Sequence, residues 1–190
     1  MARCYSEAMP QRQSALPQIW LVSDARNDAM LETVLARLPR GSGLIYRHYH
    51  LPPAERRARF EPLARLARQR GHWLVLAGNA AEARAWRTDG AYGSPTMLSA
   101  GPALLRLATA HSLAEIANAR RARADAILLS PAFATRSHPG AKGLGPMRFR
   151  LLAARAGLPV IALGGIDARR ARRLGGHAWA AIDGLIPKDS

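Results

Sequence analysis

AILLSPAFATRSHPGAKGL, residues Ala126 to Leu144, is the stretch from which the fold can be read. Ala126-Ile127-Leu128-Leu129 is a short apolar run, as expected of a parallel strand buried on both faces. Directly behind it come Ser130, Thr135, Arg136, Ser137, His138 and Lys142, interleaved with small residues. Hydroxyls and cations at the carboxyl end of a buried strand are how α/β proteins assemble a phosphate site. Arg136 can grip a phosphate through two parallel bonds, while Gly140 and Gly143 allow close approach of the backbone. An ordinary solvated strand-to-helix loop is the plainer alternative.

Working outward, the same strand-then-helix alternation recurs. Upstream strands are Gln18–Ser23, Leu44–Tyr49, His72–Ala77, Ala91–Gly93 and Leu104–Thr109. Downstream strands are Leu158–Leu163 and Ala178–Ile182. Helices are expected at Asn27–Leu38, Ala54–Gln69, Ala80–Arg87, Leu113–Ala122, Pro146–Ala156 and Ala168–Leu174. Their apolar residues recur at helical spacing, and Pro52-Pro53 and the Ser112/Glu115 pair supply start signals. Eight alternations predict a (β/α)8 barrel, with covering helices reduced or missing after strands four and eight. An open doubly wound sheet is the second choice. One domain, residues 18–190, follows a flexible N-terminal tail, residues 1–17.

The chain carries a net charge of +15, nearly all of it from arginine, since Lys142 and Lys188 are the only lysines. Arg56, Arg57, Arg59, Arg65, Arg68 and Arg70 crowd one helix. With no aromatic partners evident beside them, the run is expected to be a solvated face rather than a nucleic-acid platform. Trp20, Trp73, Trp86 and Trp179 are expected to pack rather than to stack on bases. Cys4 is the single cysteine, which excludes an internal disulfide framework. No run is long enough to span a bilayer and no secretory centre is present, so a cytoplasmic protein is expected.

These motifs together resemble the thiamine phosphate synthase/TenI family. Ser130 to His138 is similar to the family's G-P-x-F-x-T-x-T-K, and Pro159 to Ile166 (PVIALGGI) to its P-V-V-A-I-G-G-I. Leu107 to Ser112 resembles G-x-S-x-H-S, and Gly175 to Ile182 resembles G-A-D-G-V-A-V-I. The resemblance implies a barrel that joins a pyrimidine diphosphate to a thiazole phosphate carboxylate with the help of Mg2+. In the TenI branch it implies loss of that reaction, with isomerisation of the thiazole phosphate in some members.

Carried over residue by residue, the resemblance makes Thr135, Ser137, Gly164 and Gly165 contacts of the thiazole phosphate. Thr109 then stands for a diphosphate contact and Arg47 for the surviving member of Q-x-R-x-K. His138 replaces the family lysine, with Arg136 or Lys142 as alternative cations. Ile182-Asp183 replaces I-S, so a carboxylate faces an expected phosphate unless a cation such as Arg136 pairs with it. Both magnesium carboxylates are replaced, at Ala77-Gly78 (with Asn79 the nearest polar group) and at Ser94 to Met97. The TenI catalytic histidine falls on Pro131. No catalytic residue or metal ligand is therefore assigned, although His48, His50 and His111 lie near strand ends and are acid/base candidates.

The expected function is thus that of a family member binding a thiazole phosphate or thiamine phosphate with degenerate catalysis. It would be transferase-like or isomerase-like if active. The alternatives are an active synthase, which would need Mg2+, and a basic barrel that binds nucleic acid or a protein partner over a vestigial site.

Overall fold

The computed structural model describes residues 16–98, 104–136, 140 and 142–187. Eight parallel strands close on themselves in sequence order: β1 (Ile19–Val22), β2 (Gly43–Tyr46), β3 (Trp73–Ala77), β4 (Gly90–Gly93), β5 (Leu105–Ala110), β6 (Ala126–Leu129), β7 (Val160–Leu163) and β8 (Ala178–Ala181). Closure is made by β1 and β8, with Trp20 in register with Ala180. The barrel reading is borne out and the open sheet is excluded.

Among the described residues six helices cover the barrel: α1 (Leu31–Arg37), α2 (Pro53–Gln69), α3 (Ala80–Ala85), α4 (Leu113–Arg121), α5 (Gly145–Ala154) and α6 (Ala168–Ala171). Among the described residues no helix follows β4 or β8. Four βα turns end on a side chain that caps the following helix or 3₁₀ turn. Asp24, Asn79, Ser112 and Asp167 accept from the backbone N–H of Arg26, Glu82, Glu115 and Arg170. Each supplies an acceptor to donors that the first turn leaves unpaired.

Period-two alternation divides the core. Outward-facing residues such as Leu21, Leu44, Leu76, Ile127 and Ala162 pack beneath the helices. Inward-facing Val22, Ile45, Val75, Leu107, Leu128 and Ile161 fill the barrel. Trp20 occupies the barrel interior only because position 43 lacks a side chain. A Cβ on Gly43 would lie 2.0 Å from the indole ring. The Trp20 indole N–H donates to Pro17 O at 2.8 Å, and Leu16 packs against the same interior cluster. All four tryptophans pack on hydrophobic clusters of the fold, as expected.

Three local expectations are corrected. The helix expected at Asn27–Leu38 starts with a 3₁₀ turn, Ala25–Met30, because Asp24 and Asn27 close a tight capping box there. Strand β2 ends at Tyr46 rather than Tyr49, since His48 adopts φ 43°, outside extended geometry. The arginines of α2 are not uniformly solvated. Arg56 is 9% exposed and stacks over Tyr46, Tyr49 and Trp86, while Arg57 lies over Phe60 and Trp86. Trp86 and Tyr46 come from other elements, so these aromatic partners are invisible within the helix itself. No helix among the described residues is long and apolar enough to cross a membrane.

Candidate functional site

The inward alternation does not stop where the strands do. Ile45 is followed two residues on by Arg47, Gly90 by Tyr92, Leu107 by Thr109, Leu128 by Ser130, Ile161 by Leu163 and Ala180 by Ile182. These six residues line a cavity of about 850 Å³ at the carboxyl end of the barrel. That volume suits a small ligand with a ring and a phosphate.

Three loops make one side of this cavity, and glycine lets them touch backbone to backbone. Ala132 N and Phe133 N of the β6 loop donate to Leu163 O and Gly164 O of the β7 loop, at 2.7 and 3.0 Å. Gly165 has φ 58°, and a Cβ there would lie 2.1 Å from Ala134 O. A Cβ on Gly184, after β8, would lie 1.9 Å from Ile166 O. Thr135 and Arg136 are thereby held beside the Gly164-Gly165 turn, and all four residues line the cavity. Ser137 and His138 lie outside the described residues. Lys142 is exposed and is not a lining residue.

Charge crosses the mouth as an alternating ladder. Arg136 donates to Asp183 at 3.0 Å, and Asp183 also faces Arg26 at 3.6 Å. Arg26 donates to Asp24 at 3.0 Å, and Asp24 lies 3.7 Å from Arg47. Partial burial works against ionisation of Asp24, but the Arg26 bonds and the nearby Arg47 charge hold its carboxyl below the usual value. Arg47 keeps one buried atom, Nε, with no hydrogen-bond partner among the described residues. Tyr92 is pushed up to about 12 by burial and stays protonated. The pairing of Asp183 with Arg136, foreseeable only as a condition, is present.

On the opposite side the arrangement differs. The loop after β3 contributes no lining residue. Over its place lies Arg56, which reaches from α2 to donate to Arg47 O, Ala77 O and Glu82 Oε1 at 2.8, 2.7 and 2.8 Å. Asn79 spends its side chain on capping α3. The cavity carboxylates among the described residues are Asp183, already between two arginines, and Asp167, which caps α6. Among the described residues, no three of His, Cys, Asp and Glu cluster closely enough to hold a metal.

The histidines divide. His111 lines the cavity, and its Nδ1 donates to Ser130 O at 2.8 Å, leaving Nε2 as the acceptor nitrogen. His48 is 1% exposed. Its Nε2 donates to Asp28 and its Nδ1 accepts from Ser23, whose oxygen in turn accepts from Arg47 N. Burial pulls His48 below the ordinary imidazole value despite Asp28, so it is a neutral strut behind Arg47. His50 sits on the exposed loop beyond it.

A family profile described as thiamine monophosphate synthase matches residues 19–182. The chain belongs to that family. No curated protein matches it in sequence. Among solved structures, the thiamine phosphate pyrophosphorylase of Pyrococcus furiosus superposes with a TM-score of 0.73 at 24% identity, covering 88% of this chain and 85% of that one. The thiamine phosphate pyrophosphorylase of Bacteroides thetaiotaomicron gives 0.55 at 17% identity, covering 87% and 82%. FabK from Thermotoga maritima gives 0.67 at 16%, covering 90% and 59%, a likeness of fold.

Family membership accounts for the order of the loops and makes this a thiamine phosphate synthase-like protein, with small phosphorylated molecules as its ligand class. Sequence reasoning had singled out Arg47, Thr109, Thr135, Arg136, Gly164, Gly165, Ile182 and Asp183, and all eight line the one cavity. It missed Arg26, Met97 and Arg170 as site residues. The signal for Arg26 was faint, a cation inside the helix-start pattern after β1.

Proposed function

We propose that this family member binds a thiazole phosphate or thiamine phosphate and does not condense the two halves. The observation that carries the reading is the asymmetry of the cavity. The β6, β7 and β8 loops keep a hydroxyl, an arginine and two left-handed glycines around a place for one phosphate. On the β3 side, the carboxylates that the resemblance implies for a diphosphate and its cation are replaced at Ala77-Gly78, and the nearby Asn79 caps α3. Arg47 and Thr109 point into the same cavity, and these two favour the second reading, an active synthase that holds its diphosphate through arginine alone.

Two assays on one protein preparation test this. Thiamine phosphate formation is followed with the pyrimidine diphosphate, the thiazole phosphate carboxylate and Mg2+, and the expected result is no product above background. Thermal unfolding with thiazole phosphate at a hundred times its Kd should gain about 2.7 kcal/mol. For a chain of this size that is about 5–10 °C in Tm. Product formed at a rate well above background would overturn the reading in favour of the synthase. Absence of both product and stabilisation would leave the basic surface as the functional feature.

A further inference from the structure

The ladder across the mouth carries one inference more. Each arginine in it is already faced by an aspartate: Arg136 by Asp183, Arg26 by Asp183 and Asp24, Arg47 by Asp24. A ligand phosphate that engages Arg136 must share that guanidinium with Asp183 and so brings like charges together. A neutral ring on the phosphate leaves this repulsion uncompensated. A cationic ring in the same cavity offsets it, because Asp183 and its neighbour Ile182 both line that cavity.

We infer that Asp183 is a specificity-determining residue that selects phosphorylated ligands whose ring carries a positive charge, a thiazolium rather than a neutral thiazole. The inference rests on the cavity being a site for such phosphates. Its neighbour Gly184 packs directly on the loop after β7, where a Cβ would lie 1.9 Å from Ile166 O, and the carboxylate itself is held by Arg136 and Arg26. Asp183 is 32% exposed and Arg136 78%, so the discrimination is modest. At the upper end of what exposed ion pairs contribute, it amounts to about fivefold.

Calorimetry with two probes that differ in ring charge tests it: 4-methyl-5-(2-hydroxyethyl)thiazole phosphate and its N-methylthiazolium counterpart. The wild-type chain should bind the thiazolium about fivefold more tightly. In Asp183→Asn the ratio should fall towards one, with the neutral probe binding more tightly than it does to wild type. Asp183→Glu should keep the preference for the cation. A wild-type preference for the neutral probe, or a ratio unchanged in Asp183→Asn, would overturn the inference while leaving phosphate binding intact. Binding of neither probe to any of the three proteins would overturn the phosphate site, and this inference with it.

Discussion

Gly165→Ala tests the contact that builds the phosphate side of the cavity. Two costs add. Position 165 has φ 58°, where an L side chain costs about 1–2 kcal/mol. The new Cβ would also lie 2.1 Å from Ala134 O and 3.0 Å from Phe133 O, both rigid backbone atoms. Relieving such an overlap costs about 1–3 kcal/mol. The sum, about 2–5 kcal/mol, is a large part of the stability of a typical domain. Gly176→Ala isolates the first cost, since φ there is 80° and a Cβ meets nothing within 4 Å. Urea denaturation of the two variants beside the wild type should show Gly165→Ala less stable than Gly176→Ala by at least about 1 kcal/mol. It should also show thiazole phosphate binding weakened only in the former. Equal losses in the two variants would refute the backbone contact between the β6 and β7 loops, and with it the cradle that the functional reading needs.

Three further outcomes follow from the same geometry. Arg56→Ala should lose about 3–5 kcal/mol in urea denaturation, because it leaves Ala77 O and Arg47 O without their donor and Glu82 without its partner. Arg136→Ala should weaken thiazole phosphate about tenfold by calorimetry with little change in urea midpoint, since its side chain is largely exposed. Acid should act in two stages. Burial lowers His48 and His72, so the stability gained by keeping them neutral is present above the ordinary imidazole value and is lost as pH falls below about 6.5. Hydrogen bonds from Arg59 lower Glu32. Asp28 is lowered too, by Arg59 and His48 against an opposing burial effect, so their contribution is lost as pH falls below about 4. Urea midpoints measured from pH 8 to pH 3 should decline in both intervals.

The barrel was legible because its information is local. Strand β6, the Gly164-Gly165 turn after β7 and the Ser112/Glu115 cap each declare themselves within a few residues. The cavity lining was legible in part for the same reason, as the alternation that puts Leu107 and Leu128 inside also puts Thr109 and Ser130 at the mouth. What escaped was set by contacts between distant segments. Arg56 looks like one of six arginines on a helix, and only the folded chain turns it towards Trp86 and the ends of β2 and β3. His48 looked like an acid/base candidate because nothing nearby in sequence announces Ser23 and Asp28 as its partners. The Asp183–Arg136 pair joins residues 47 positions apart, so its charges could be placed in one site but not counted as paired.

Calorimetric titration with the two separate half-ligands tests the central claim most directly. One cell receives thiazole phosphate, the other the pyrimidine diphosphate with and without Mg2+. The account predicts saturable binding of the thiazole phosphate, and no gain in diphosphate binding when Mg2+ is added. Tight, Mg2+-dependent binding of the pyrimidine diphosphate would contradict it, because that is the binding step a condensing enzyme needs and a binder of the thiazole half alone does not.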